Sequence, residues 1–434
     1  MSVRIWRRGS MALAVLLAQC AGALAAEEFK FDASEFEKKP FEISGYLQLK
    51  QEHFGLNRDR VFYQLGNAGQ PQRDSLDRTT ATLELAGKLR AGMGTFDFHT
   101  HSDAWQDQLT RAQSNKMFEA AYSIRPDPGV TIEAGKRTLR WGKGYAWNPI
   151  GFVERSKDPN DPDLAREGLV MADADLILNR DGPLQTIAFT PVLLPVNSDV
   201  NSGFGAPGYL NPAAKLYLLY RDTDIDFAWQ GKGSRPARFG VDFSRNLATN
   251  FEIHGEWARI RQIAKPVVYG SGNVTTAVGN ATSYLLGLRY LTEAETTYIA
   301  EYYRNGTGYS DQQFQQFYQF ANTALQQQSG TGTLLQKALT LSQGSYSRPN
   351  MGTDYLYFRA QQKDTLGIVY FQAAVTAMVN VQDRSYQVTP ELLYTGVKNF
   401  DLRMRLYLLQ GGAGTEFGEK LNSSRLEIYA RYYF

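Results

Sequence analysis

Four histidines stand in the 434 residues, at positions 53, 99, 101 and 254. The tightest chemical grouping in the chain surrounds two of them. In "DFHTHSD", Asp97, His99, His101 and Asp103 lie two apart between Phe96 and Phe98 on the other side. Residues two apart on a strand share one face, so imidazole and carboxylate donors would gather there as in a transition-metal site. His99 and His101 are therefore the candidate metal ligands. A polar wall facing water has the same pattern, and that is the reading adopted: no metal and no cofactor. A nucleophilic serine would need a neighbouring base, and no serine stands in such a setting. Cys20 is the single cysteine and no C-x-x-C-H occurs, so thiolate chemistry and covalent haem have no residues to work with. The chain reads as a non-enzyme.

A second grouping is basic. Arg403, Arg405, Arg425 and Arg431 fall on the same side of two consecutive segments near the end of the sequence, with Asp401 and Glu427 beside them. Guanidinium groups match carboxylate and phosphate geometry, so such a stripe would attract anionic solutes; neutralisation by the two neighbouring acids is the competing outcome. Glu119, Arg137, Asp173 and Asp175 take the same side of earlier segments. The formal net charge is +2, which announces no nucleic-acid partner.

These groups need elements that hold one face in water. Mean hydropathy is −0.38, and no apolar run approaches the roughly 20 residues of a membrane helix. Yet Tyr, Phe and Gly number 25, 24 and 39, and two-residue alternation recurs throughout. In "FDLRMRLYL", Phe400, Leu402, Met404, Leu406 and Leu408 oppose Asp401, Arg403, Arg405 and Tyr407. In "KMFEAAYSIR", Phe118, Ala120, Tyr122 and Ile124 oppose Glu119, Ser123 and Arg125. Such segments fall near 41–54, 78–90, 94–103, 115–125, 129–140, 168–179, 183–194, 213–221 and 224–231. They continue near 236–245, 250–263, 281–291, 294–304, 352–361, 365–380, 385–396, 400–409 and 424–434. That makes 18 strands, or 16 if 183–194 and 224–231 are not strands. Pro390 predicts a bulge, and Arg259 and Arg261 take lipid-side positions beyond Trp257.

Connections alternate short and long, as turns and outer loops do in an outer-membrane barrel. The fold class is all-β: a transmembrane, antiparallel, up-and-down β-barrel at 41–434. Residues 141–168 are an aromatic and charged loop able to fold inward. Residues 305–351 form a long extracellular loop with helices of its own. Ser310 and Gln313 make a capping box, Phe314, Phe317, Tyr318, Ala321 and Leu325 follow at helical spacing, and Gly330 stands at the stop. A second helix is predicted over 333–341, and the whole reads as a lid or an inserted plug. Residues 1–26, with Arg4, Arg7 and Arg8 before an apolar run and a small-residue site, read as a secretory signal. Residues 27–40 read as a short periplasmic segment.

The closing "SSRLEIYARYYF" alternates Leu426, Ile428, Ala430, Tyr432 and Phe434 against Arg425, Glu427 and Arg431. It resembles the C-terminal insertion signal of bacterial outer-membrane barrels, which implies recognition of the Phe434 segment by the barrel-assembly machinery. The strand total, the arginine-bearing lumen and "AGKRTLRWGKG" at a strand end resemble the alginate-export family and related porin-like channels. That resemblance implies passive movement of sugar-acid polymers or small acids. The expected function is an outer-membrane channel of a Gram-negative bacterium for small hydrophilic, anionic solutes. Its expected surroundings are outer-membrane lipid and lipopolysaccharide, and its assembly a homotrimer. The alternative is a barrel that sheathes a partner, such as an electron-transfer cytochrome or a polysaccharide-export component.

Overall fold

The computed structural model describes residues 39–162, 164–327, 332–346 and 349–434. The expected signal peptide, nearly all of the segment 27–40 and Gly330 lie outside the described residues. Nine strands form the first half: β1 (Phe41–Leu56), β2 (Ser75–Ala91), β3 (Gly94–Asp107), β4 (Arg111–Asp127), β5 (Val130–Arg137), β6 (Leu169–Asn179), β7 (Leu184–Val196), β8 (Tyr209–Tyr220) and β9 (Thr223–Gln230). The second half adds β10 (Arg238–Ala248), β11 (Phe251–Val268), β12 (Val274–Leu291), β13 (Thr296–Arg304), β14 (Asp354–Gln362), β15 (Phe371–Asn380), β16 (Tyr386–Val397), β17 (Phe400–Gln410) and β18 (Asn422–Tyr433). Each strand pairs antiparallel with its neighbours in sequence, and β1 also pairs with β18. The wall is a closed 18-stranded meander, and the 16-strand alternative is overturned because 184–196 and 223–230 are both strands. Closure matters physically: an open edge in hydrocarbon would strand backbone polar groups at several kcal/mol each. At the seam, Gly45 and Phe434 exchange both backbone hydrogen bonds at 3.0 Å.

Alternation sorts the side chains as the pleat demands. On β17, Leu402, Met404 and Leu408 are exposed outward while Arg405, Tyr407 and Leu409 are buried. On β18, Ile428, Tyr432 and Phe434 are exposed while Glu427 and Tyr429 are buried. Two local expectations fail. Phe118 does not face outward. The β3–β4 register shifts between His99 and Thr100, so Phe118 turns inward beside Glu119 and stacks on His101 at 4.7 Å between ring centres. The extra residue is the cause: Met117 before it and Tyr122 after it both remain exposed. Pro390 makes no bulge. Val388↔Leu408 and Glu391↔Arg405 keep one register across it, and the irregularity sits later, between Tyr394 and Val397. Arg259 and Arg261 are exposed as expected, and a register shift follows between Ile260 and Ile263.

Helices occur in the long connections: α1 (Val61–Gly66), α2 (Asp311–Gln326) and α3 (Thr333–Gln343). The expected capping box is present at α2, with Gln313 N donating to Ser310 Oγ at 3.3 Å and Ser310 N to Gln313 Oε1 at 3.2 Å. α1–α3 bury Val61, Leu65, Phe314, Phe317, Phe320 and Ala338 around Tyr309 and Tyr346, against Val268 of β11. This apolar cluster is the core of a cap built from two separate connections, 57–74 and 305–353, tied to a third (411–421) by Gln315–Gly414 and Val61–Glu419 hydrogen bonds.

Candidate functional site in the barrel lumen

The described residues of 138–168, between β5 and β6, hold no regular secondary structure, so their backbone N–H groups need acceptors from elsewhere. Buried glutamates supply them. Glu256 on β11 accepts from Gly144 N at 2.6 Å and Ile150 N at 3.1 Å. Glu301 on β13 accepts from Ala146 N at 2.9 Å and from Tyr145 N. Within the loop, Glu154 accepts from Trp141 N and Asn148 Nδ2 and pairs with Arg166 at 2.8 Å. Further contacts reach Asp226 on β9 from Lys143, Gln387 on β16 from Asn160, and Arg405 on β17 from Asp161. Trp147 stacks on Tyr303 of β13 at 5.1 Å and meets Tyr355 and Tyr357 of β14. One segment can touch β9, β11, β13, β14, β16 and β17 only from inside the barrel. The expected inward fold of 141–168 is therefore observed.

The loop has an apolar seat. Leu139, Trp141, Ile150, Phe152 and Val153 pack on Met171, Val192, Leu194, Ala213, Ala228 and Ala258 of the β6–β11 wall. Those inward positions are small or aliphatic, where a water-filled barrel would carry polar groups. Burial pushes the Glu154 carboxyl above its ordinary value and the Lys157 amine below its own. In the described hydrogen bonds and ion pairs, β1, β2 and β3 take no part in holding this loop.

The basic stripe forms on β17 and β18. Arg405 is its most buried member, its side chain 7% exposed against 27% for Arg425. It donates to Glu391, lies 2.8 Å from Asp161 and 3.7 Å from Glu427. It is thus a tie between wall and loop. Arg403 is 3.8 Å from Glu391 and 3.9 Å from Asp161, and Arg425 lies 3.8 Å over the Tyr407 ring and 3.5 Å from Glu52. Arg431 donates to Gln48 at 2.7 Å and lies 4.1 Å over the Tyr46 ring. Among the described residues no carboxylate stands within salt-bridge distance of it. Asp401 accepts from the Tyr433 hydroxyl at 2.7 Å, so neutralisation falls to Glu391 and Asp161 more than to Asp401.

The remaining acidic and basic candidates sit across the lumen. Arg137 pairs with Asp173 at 2.7 Å and with Glu133. Asp175 accepts from Thr190 at 2.6 Å, and Glu119 from Thr138 N at 3.1 Å, at the root of the infolded loop. The histidine pair lies on β3 with Glu84 of β2 between its members: His99 Nε2 at 2.8 Å and His101 Nδ1 at 2.6 Å, with His101 Nε2 2.7 Å from Asp103. Both nitrogens of His101 are engaged by carboxylates, a hydrogen-bonded chain along the wall. Among the described residues no group of three such side chains is arranged to hold a metal.

Above the infolded loop and below the cap lies a cavity of about 420 Å³, reached by Leu339 of α3, Phe62 of α1, Asn160 of the loop and Tyr407 and Arg425 of the wall. Buried Glu416, missed in the sequence as Glu301 was, fastens the cap rim by accepting from Met351 N at 3.0 Å and Asn380 Nδ2 at 2.8 Å. The signal for Glu256 and Glu301 was present in the sequence: "WGKGYAWNPIG" carries many N–H groups and too few good helix or strand formers to satisfy them.

No family model matches the chain and no curated protein matches it. Solved structures do. OccK5 (OpdH) of Pseudomonas aeruginosa aligns with TM-score 0.51 at 10% identity, over 91% of this chain and 98% of that one. The fold is porin-like. OccK2 (OpdF) of the same organism, solved with glucuronate, aligns with TM-score 0.51 at 11% identity, over 91% and 96%. A mutant of Rh. blastica porin gives TM-score 0.44 at 9% identity, over 91% and 100%. At such identities the likeness is one of fold.

Proposed function

We propose that this barrel is an outer-membrane channel for small hydrophilic solutes, with a preference for anions. The observation that carries this reading is the one-sided seating of residues 138–168. They seat on the wall from β6 to β17 and leave a passage along β18, β1, β2 and β3. At 18 strands a barrel is wide enough for water, and a loop across it sets the constriction, where charged side chains decide selectivity. Arg403, Arg425 and Arg431 border that passage, and among the described residues Arg431 has no carboxylate within salt-bridge distance, meeting Asp401 only through the Tyr433 hydroxyl. Of the ten residues picked from the sequence, Arg405 ties the loop instead, Glu119 holds its root with Arg137 and Asp173 paired beside it, and Asp175 bonds Thr190 within the wall. A sheath for a partner protein would need the lumen that the chain's own loop fills. In this reading the outward apolar band meets lipid and lipopolysaccharide, and the Phe434 segment is presented to the assembly machinery. The alginate-export resemblance contributes architecture, not a polymer substrate.

The test is planar-bilayer recording of the purified protein under a salt gradient. Steady conductance with an anion-selective zero-current potential is expected, and Arg431→Gln moves that potential toward cations. Silence sinks the channel. Conductance with no response to Arg431→Gln sinks the anion preference.

A further inference from the structure

The cavity under the cap differs from the rest of the lumen in the chemistry it offers. Phe62, Leu339, Tyr407 and Leu409 give it apolar walls, and Arg425 and Lys420 bring positive charge. Its hydrogen-bonding groups are mostly spent. Gln387 Nε2 donates to Asn160 and to Thr389 Oγ1, Asn160 Nδ2 to Asp158 at 3.1 Å, and Ser342 Oγ to Leu339 O at 2.8 Å. A polyhydroxylated solute would find few free partners there, and burying hydroxyls without partners is unfavourable.

The charges are not spent. Among the described residues Arg425 has Glu52 as its one carboxylate, at 3.5 Å, and none stands within salt-bridge distance of Lys420. Glu419 turns its oxygens to Val61 N and Gly414 N, both at 3.0 Å. Glu52 is shared with Lys50 at 3.4 Å, and both Glu419 oxygens are taken up by backbone N–H groups, so Arg425, engaged through Nη1 alone, and Lys420 keep donors for an incoming carboxylate. A chamber of this size holds one small molecule.

We infer that this chamber binds an organic monoanion with a compact apolar body, a ring-sized carboxylic acid, whose carboxylate meets Arg425 and whose body lies against Tyr407, Leu409 and Leu339. The cap helix α3 is then part of a binding site as well as a cover. This inference rests on the channel reading and narrows its solute class from hydrophilic anions to amphipathic ones.

Isothermal titration of the full-length, detergent-solubilised protein with benzoate and with gluconate tests it. Both carry one carboxylate, and gluconate replaces the ring with hydroxyls. Benzoate is expected to bind at least tenfold more tightly than gluconate. Arg425→Gln is expected to weaken benzoate at least tenfold, and Leu339→Ala, at a half-buried surface position that preserves the fold, about threefold. Equal binding of the two acids, no benzoate binding, or full benzoate affinity in both variants overturns the proposal. Chloride conductance of the unsubstituted protein separates the two readings. Conductance without benzoate binding removes the chamber and leaves the channel; benzoate binding without conductance does the reverse.

Discussion

The infolded loop (138–168) and the cap (α1–α3 with 411–421) occupy the same barrel and are held by opposite means. The cap is a small helical core: Phe317 is fully buried, 5.5 Å from the Phe62 ring and 3.9 Å from that of Tyr346. The infolded loop has aromatic contacts too, but its path is dictated by glutamates that receive its backbone N–H groups. Apolar packing tolerates small shifts because it is non-directional. Carboxylate–amide bonds lose strength steeply with misalignment. The region that must keep one shape across a solute path is held by directional bonds, and the region that closes over it is held by packing.

Breaking the directional side is expected to have the largest effect. Glu301→Ala leaves the N–H groups of Tyr145 and Ala146 and the His254 ring, 2.9 Å away, without their acceptor. Loss of a buried pair costs about 3–5 kcal/mol, and each orphaned N–H about 1 kcal/mol or more. The loop should detach, seen as noisier and larger single-channel currents with the cap still resistant to protease. Phe317→Ala is the converse, at about 3–5 kcal/mol for a buried aromatic. Cleavage within 311–343 should appear while the conductance noise stays unchanged. If either variant loosens both regions, they are one cooperative unit and the contrast fails.

A pH series sharpens the comparison. Burial raises the Glu419 carboxyl of the cap, so the attached state holds more protons than the detached one. Its contribution is present at low pH and is lost as pH rises through the raised value. Lys157 of the infolded loop is shifted down, so its attached state holds fewer protons and its contribution grows as pH rises through the lowered value. Raising the pH through the carboxylate range should therefore open the cap to protease, while the loop, where the raised Glu154 acts like Glu419 and the lowered Lys157 acts against it, should respond less. The opposite order would contradict the assignment. The smallest expected effect is Ser310→Ala, which removes the α2 cap bond seen at 3.3 Å and costs about 1 kcal/mol. It should be measurable as faster proteolysis of α2 alone.

Period-two alternation was enough to place all 18 strands, because lipid and water sort neighbouring residues to opposite faces whatever the rest of the chain does. The capping box and the spacing of Phe314 and Phe317 made α2 legible for the same local reason. Phe118 was misplaced because a one-residue register shift is set by the partner strand. Pro390 was over-read because a missing N–H can be absorbed without inserting a residue.

The site was legible in kind and not in arrangement. Arg403, Arg405, Arg425 and Arg431 were visible as a stripe. That Arg405 is consumed by Asp161 and Glu391, while Arg431 meets Asp401 only through the Tyr433 hydroxyl, depends on residues far away in sequence, which no local pattern reports. Sequence by itself determined the alternating wall, its closure and the helices over one loop, since these follow from which solvent each face meets. Only the tertiary structure decided which glutamates seize the loop, which wall stays open and where a chamber remains, because those depend on distances between parts of the chain that folding alone brings together.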